Sequence, residues 1–259
     1  MMSGSQEIIA SFPLESWHPL TEVPASRQSD AVRDAAPAAP QIQTLQAQMS
    51  HELHPALRGV SSDLIKLLYD ILAYLYANVR ARIKRLNVSG RVFEKAKLEG
   101  LERGFFVEGT AGATTYLIPL AKTFAAFDSP CPYRRDVSPE HSYFVGLGRH
   151  LLQQNPGNKR VYTELKVGNS GCTADIVTIG QDFTRCAYEV TLSTTNILSN
   201  AAKYAHTDFA QIVFLCRDQK LRDAVRVCCR EGGLDADLLT RLEFIQFSTL
   251  LGRQRRLSL

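Results

Sequence analysis

The 259-residue chain is 45% hydrophobic and 22% charged, which suits a buried core and excludes a collagen-like or wholly low-complexity chain. A formal net charge of +4 is compatible with a nucleic-acid partner without requiring one. No apolar run approaches the ~18 residues of a membrane span, and Glu7 stands where a secretory leader would be basic, so a cytoplasmic protein with no membrane contact is expected.

Residues 1–58 are expected to form a flexible arm and linker. Six acids (Glu7, Glu15, Glu22, Asp30, Asp34, Glu52) against three arginines give this stretch −3. Pro24–Ala47 lacks any sustained period and is rich in alanine and proline. Ile8–Leu20, with Trp17, is more apolar and reads either as a docking peptide or as plain arm.

Folded structure is expected from residue 60. Ser61-Ser62-Asp63 is an N-cap cluster before the apolar helix at Leu64–Leu72. A second helix is predicted over Val79–Leu86, Asn87-Val88-Ser89-Gly90 is a turn, and a third helix follows over Arg91–Arg103. Phe105–Glu108 and Thr114–Leu120 flank Gly109-Thr110-Ala111-Gly112, a hairpin signal. Three helices and a hairpin are the order of a winged helix, so 60–127 is predicted to be a winged-helix domain of α+β type. Between Val79 and Gly104, eight bases (Arg80, Arg82, Lys84, Arg85, Arg91, Lys95, Lys97, Arg103) face three acids, for a local +5. A groove-reading helix needs flanking cations to neutralise phosphates, so Arg80, Arg82, Lys84, Arg85, Arg91, Lys95 and Lys97 are candidate DNA contacts. The same run also reads as a solvated face or a protein-contact surface.

Asp128–Pro139, rich in proline, is expected to link this domain to a second one at 138–252. There, a helix is predicted over Ser138–Gln154, strands over Arg160–Val167, Ala174–Gly180 and Arg185–Leu192, and a helix over Thr195–His206. An apolar strand at Ala210–Cys216, helices at Gln219–Glu231 and Asp235–Leu242, and a last strand at Phe244–Leu251 complete it. This order predicts a mixed α/β sheet with helices on both faces. The tail arginines Arg253, Arg255 and Arg256 read as a frayed end or a phosphate clamp. The six cysteines form no C-x-x-C pair and read as free, mostly buried thiols.

Asp175 opens the second of these strands, after the Gly168-Asn169-Ser170-Gly171 turn, and Glu189 lies within the third. Carboxylates on neighbouring strands can share a hard divalent cation, Mg²⁺ or Mn²⁺, that lowers the pKa of a bound water. An acid inside an apolar strand needs a cation, a partner or solvent.

Ala174-Asp175-Ile176-Val177, then Tyr188-Glu189-Val190-Thr191, a helix, and Ile212-Val213-Phe214-Leu215 resemble the core of PD-(D/E)XK nucleases. The chain is most similar to a divergent branch with a preceding winged helix, found in tails of hexameric DNA-pumping ATPases and in conjugation proteins of mobile elements. The resemblance covers about residues 60–250 through short motifs. It implies a restriction-endonuclease-like fold, Asp175 and Glu189 as metal-binding and catalytic acids, and Glu164 or Glu140 as a further acid. Thr191 occupies the slot of the family's lysine; Lys203, from the next helix, or Lys166 would replace it. Cleavage of DNA phosphodiesters by a metal-activated water follows if that replacement works. A degenerate adaptor within a larger DNA-processing complex, docked through the arm to a DNA-translocating ATPase or another subunit, follows if it does not. A site-specific regulator is the third reading. No P-loop, dinucleotide fingerprint or G-x-S-x-G elbow is present.

Overall fold

Two sheets organise the described residues: a five-stranded mixed sheet in an α/β layering, and a separate two-stranded hairpin. The computed structural model describes residues 54–167 and 172–257, the side chains of 253–257 excepted. These residues lie in one compact unit, Leu53–Leu259. The docking segment Ile8–Leu20, the linker Pro24–Ala47 and the Gly168–Gly171 turn fall outside the described residues.

The arm was expected to reach residue 58, but a 3-10 turn at Pro55–Leu57 already buries Leu57. Helix α1 (Ser62–Ala73) starts where Ser61 accepts the Leu64 amide proton on its hydroxyl. Asn78 caps α2 (Val79–Leu86) in the same way through Ala81, and Ser89 caps α3 (Gly90–Glu102) through Val92. Left-handed Asn87 (φ 52) turns the chain between them. Strands β1 (Phe106–Ala111) and β2 (Thr114–Pro119) pair antiparallel around Gly112, whose φ of +60 lies in the region glycine favours. A single bridge joins Asn78 to Tyr116, so a point just before α2 extends the hairpin. Leu64, Leu67, Leu68, Phe93, Phe106 and Leu117 fill the space between these helices and the hairpin.

Asp128–Pro139 is no loose linker. Short helix α4 (Ala121–Ala125) precedes it, and Tyr133 packs edge-on against Phe124 at a ring separation of 5.5 Å. Tyr133 also joins the core under helix α5 (Pro139–Gln153), together with Ala111, Tyr116 and Ile118 of the hairpin. Tyr143 of α5 donates its hydroxyl proton to the Leu75 carbonyl at 3.0 Å. Gly146 of α5 permits this approach, because a Cβ there would sit 2.1 Å from the Tyr76 hydroxyl. The regions 60–127 and 138–252 therefore share a core within one unit.

The large sheet runs in the order β3 (Asn158–Lys166), β4 (Thr173–Gly180), β5 (Arg185–Thr191), β6 (Gln211–Cys216), β7 (Leu242–Gln246). β4 runs antiparallel to both of its neighbours, β3 and β5, while β5, β6 and β7 are parallel. Beyond β5 the chain crosses through α6 (Ile197–Ala202), and beyond β6 through α7 (Gln219–Glu231) and α8 (Ala236–Arg241). Strand β6 is apolar on both faces because both are covered: Val213 and Leu215 meet α5, whereas Ile212 and Phe214 meet α6 to α8. The expected last strand at Phe244–Leu251 ends early, at Gln246, and α9 (Phe247–Leu257) follows. Phe247 and Leu250 recur at helical spacing and bury against α5, which favours helix over strand, so the tail backbone is helical where a frayed end was one expectation. Of the cysteines, only Cys216 and Cys229 are buried; Cys131 and Cys172 are exposed. Among the described residues no helix is long and apolar enough to cross a membrane.

Candidate carboxylate site and basic helix pair

The β4–β5 ladder pairs Ile176 with Tyr188, so the next step along both strands sets Asp175 against Glu189. Asp175 Oδ2 accepts the Val190 amide proton at 2.8 Å, which fixes the aspartate to the neighbouring strand. Its Oδ1 lies 3.3 Å from Nε2 of His141, the third residue of α5. Burial pulls the His141 imidazole toward its neutral form, but the hydrogen bond and charge of Asp175 outweigh that and raise its pKa.

Glu189 is 3% exposed, and its carboxylate is held by the residues that end α6. Its Oε2 accepts from Lys203 Nζ at 2.8 Å, and Tyr204 donates its hydroxyl proton to Oε1. Lys203 also donates to the Thr173 carbonyl at 2.6 Å, at the mouth of β4. Burial first, and the Asp175 charge second, push the Glu189 carboxyl up to about 7 against the opposing pull of Lys203 and Tyr204. The Tyr204 hydroxyl is raised in turn, by its own burial and then by the adjacent Glu189 charge. The two carboxylates thus feel each other, with Lys203 alongside.

The remaining acids are placed elsewhere. Thr163 pairs with Ile176 and Leu165 with Ala174, so Glu164 stands across from Asp175 in register. However, Glu164 takes a left-handed φ of 55 and its carboxylate pairs with Arg134 at 3.0 Å. Glu140 pairs with Arg217 at 3.7 Å, and Lys166 is exposed at the end of β3. Among the described residues, no three His, Cys, Asp or Glu side chains form a metal-holding group. Asp175 and Glu189 are the two carboxylates that could contribute to holding a cation such as Mg²⁺, which keeps several waters and takes one or two carboxylates together with substrate phosphate. Glu164 does not complete a cluster with them.

The basic helices divide sharply. Arg80, Lys84, Arg91 and Lys95 are exposed and make no ion pair among the described residues. Arg82, expected to meet phosphate, cannot: it is 0% exposed, pairs with Asp70 at 2.7 Å, and donates to the carbonyls of Tyr74 and Leu75. Arg85 is held by Asp70 at 2.5 Å and lies over the Tyr74 ring, while Lys97 is held by Glu94 and Glu108. Those two contact candidates are therefore engaged within the fold. Reading the sequence as one basic run missed that Asp70, within an apolar helix, demanded cations of its own. Tyr204 was missed because a tyrosine beside a lysine carries no motif. His141 stands 34 residues from Asp175 in the chain, so no local pattern joins the two.

Comparison of the chain with protein-family models, with curated proteins and with solved structures finds no match.

Proposed function

We propose that this is a DNA-binding protein with a PD-(D/E)XK nuclease-like core that cleaves DNA phosphodiesters. The observation that carries the reading is the convergence of Asp175, Glu189 and Lys203 at one end of the β4–β5 pair. The lysine absent from position 191 is supplied from just beyond α6, and its ammonium reaches the same acid a strand lysine would serve. The restriction-endonuclease-like reading also draws on the strand order, in which an antiparallel meander is followed by a parallel strand after a helical crossover.

Mg²⁺ or Mn²⁺ bound by Asp175 and Glu189 would supply an activated water and neutralise phosphate charge. The chain's own residues prepare for this. Val190 and His141 fix the Asp175 carboxylate, Tyr204 fixes Glu189, and Lys203, held on Glu189, would offer a positive charge to the phosphate as negative charge develops on it. The helices α1 to α3 and the hairpin, with the bridge at Asn78, support a winged-helix reading of 60–127. Helix α3 exposes Arg91 and Lys95 beside Val92 and Leu98, a mixture suited to phosphates and base edges.

A second reading, a non-cutting DNA-binding adaptor, is favoured by one observation: each carboxylate already has protein partners, Asp175 toward α5 and Glu189 toward α6. Plasmid cleavage in Mg²⁺ or Mn²⁺ separates the two. Wild type that cuts, with Asp175→Ala and Glu189→Ala at least a hundredfold slower, supports the nuclease. Equal cutting by all three rejects it, and binding without cutting supports the adaptor.

A further inference from the structure

The tight turn between β4 and β5 holds Phe183 at a left-handed φ of 65 with 68% of its surface exposed. An aromatic ring is poorly suited to both conditions. A glycine or asparagine would take that backbone more easily, and an exposed ring gains nothing from the core. The Lys159 ammonium stands 4.2 Å from the centre of the ring. Gln181 ties this turn to the preceding loop by donating to the Gly157 and Pro156 carbonyls, so the corner is built rather than frayed.

Beside the ring lies a shallow groove of about 300 Å³, lined by Gln153, Asn158, Lys159, Arg160, Val161 and Tyr162. Arg160 donates to the Tyr162 hydroxyl at 3.3 Å, which extends its guanidinium along the edge strand β3. Neither Lys159 nor Arg160 has an acidic partner among the described residues, and the nearby Asp182 is spent on the backbone and hydroxyl of Thr184. An exposed ring, two cations and a groove the size of a nucleotide are what a nucleic-acid strand meets when bases stack and phosphates pair. An acidic peptide would use the cations but has no need of the ring.

We infer that Phe183, Lys159 and Arg160 form a single-strand nucleic-acid contact, separate from the basic helices α2 and α3. It lies at the far end of β3 from the carboxylates, since Arg160 precedes Glu164 by four residues, roughly 13 Å at ~3.3 Å per residue. A strand leaving the Asp175–Glu189 end would run along this edge. The contact itself does not depend on cleavage.

The test is fluorescence anisotropy of the full chain with a labelled oligo-dT of about twenty nucleotides and, separately, a labelled duplex. Phe183→Ala weakens oligo-dT binding by about tenfold, Phe183→Trp restores it, and duplex binding stays within twofold. Lys159→Ala with Arg160→Ala lowers the salt slope for oligo-dT by about 1.4, at ~0.7 per cation. Melting curves show that these exposed variants stay folded. No oligo-dT binding by wild type, or unchanged binding in both variants, overturns the inference. So does displacement of oligo-dT by polyglutamate with the same loss in Phe183→Ala, which would make the groove a peptide site. Loss of duplex binding in the α2–α3 variants, with oligo-dT binding retained, bears on the proposed function alone.

Discussion

The Lys203 ammonium lies 2.8 Å from the Glu189 carboxylate, and only 11% and 3% of the two side chains remain exposed. A pair this buried is strengthened by its surroundings, but it must also offset the loss of water around both charges. Adding Asp175 makes the group net anionic, and the Glu189 carboxyl is raised by its burial first and by the Asp175 charge second. A cation entering beside the pair would relieve it.

The stability of the metal-free protein should therefore fall with pH. Glu189 sits near 7 in the folded chain, above its ordinary 4.5. A group raised on folding adds stability that is complete below the unfolded value and lost as pH rises through the folded one, here about 3 kcal/mol across pH 4.5 to 7. Melting temperatures in chelator should show Glu189→Gln gaining on wild type between pH 5 and pH 8. A constant difference would show that Glu189 does not titrate there.

Arg82 and its exposed neighbours should separate stability from DNA binding. Arg82→Ala leaves Asp70 half-paired in the core and should cost about 3 kcal/mol in urea unfolding, with duplex affinity of the folded fraction unchanged. Arg80→Ala, Lys84→Ala, Arg91→Ala and Lys95→Ala should each cost under about 0.5 kcal/mol of stability and reduce the duplex salt slope by about 0.9. Salt slopes identical to wild type would leave α2 and α3 as a solvated face.

Much of the architecture could be read from the chain because local signals agreed with the global packing. Ser61, within the N-cap cluster read from the sequence, caps its helix, and the apolar run Ile212–Leu215 is the doubly covered strand. Asp175 and Glu189 lie on neighbouring strands as their segments suggested, one step beyond the Ile176–Tyr188 pair. What could not be read depends on contacts between distant segments. Nothing local links Arg82 with Asp70, Tyr204 with Glu189, or Tyr133 with the core beneath α5, since each partner is chosen by tertiary packing.

The shared core predicts one unfolding transition. Tyr116 and Ile118 of the hairpin pack with Tyr143 and Phe144 of α5, and Gly146 lets Tyr76 close against the same helix. Calorimetry should show a single cooperative peak, with Gly146→Ala lowering stability by about 1–3 kcal/mol through overpacking. Two peaks would show that 60–127 and 138–252 unfold independently.

If Asp175 and Glu189 together hold one divalent cation, Mn²⁺ should bind without any need for cleavage, and titration of the protein followed by the free-ion signal in electron paramagnetic resonance measures this directly. One site should fill in wild type, with affinity at least tenfold weaker in Asp175→Ala and in Glu189→Ala. Absence of a site in wild type, or affinity untouched by either substitution, would contradict the claim.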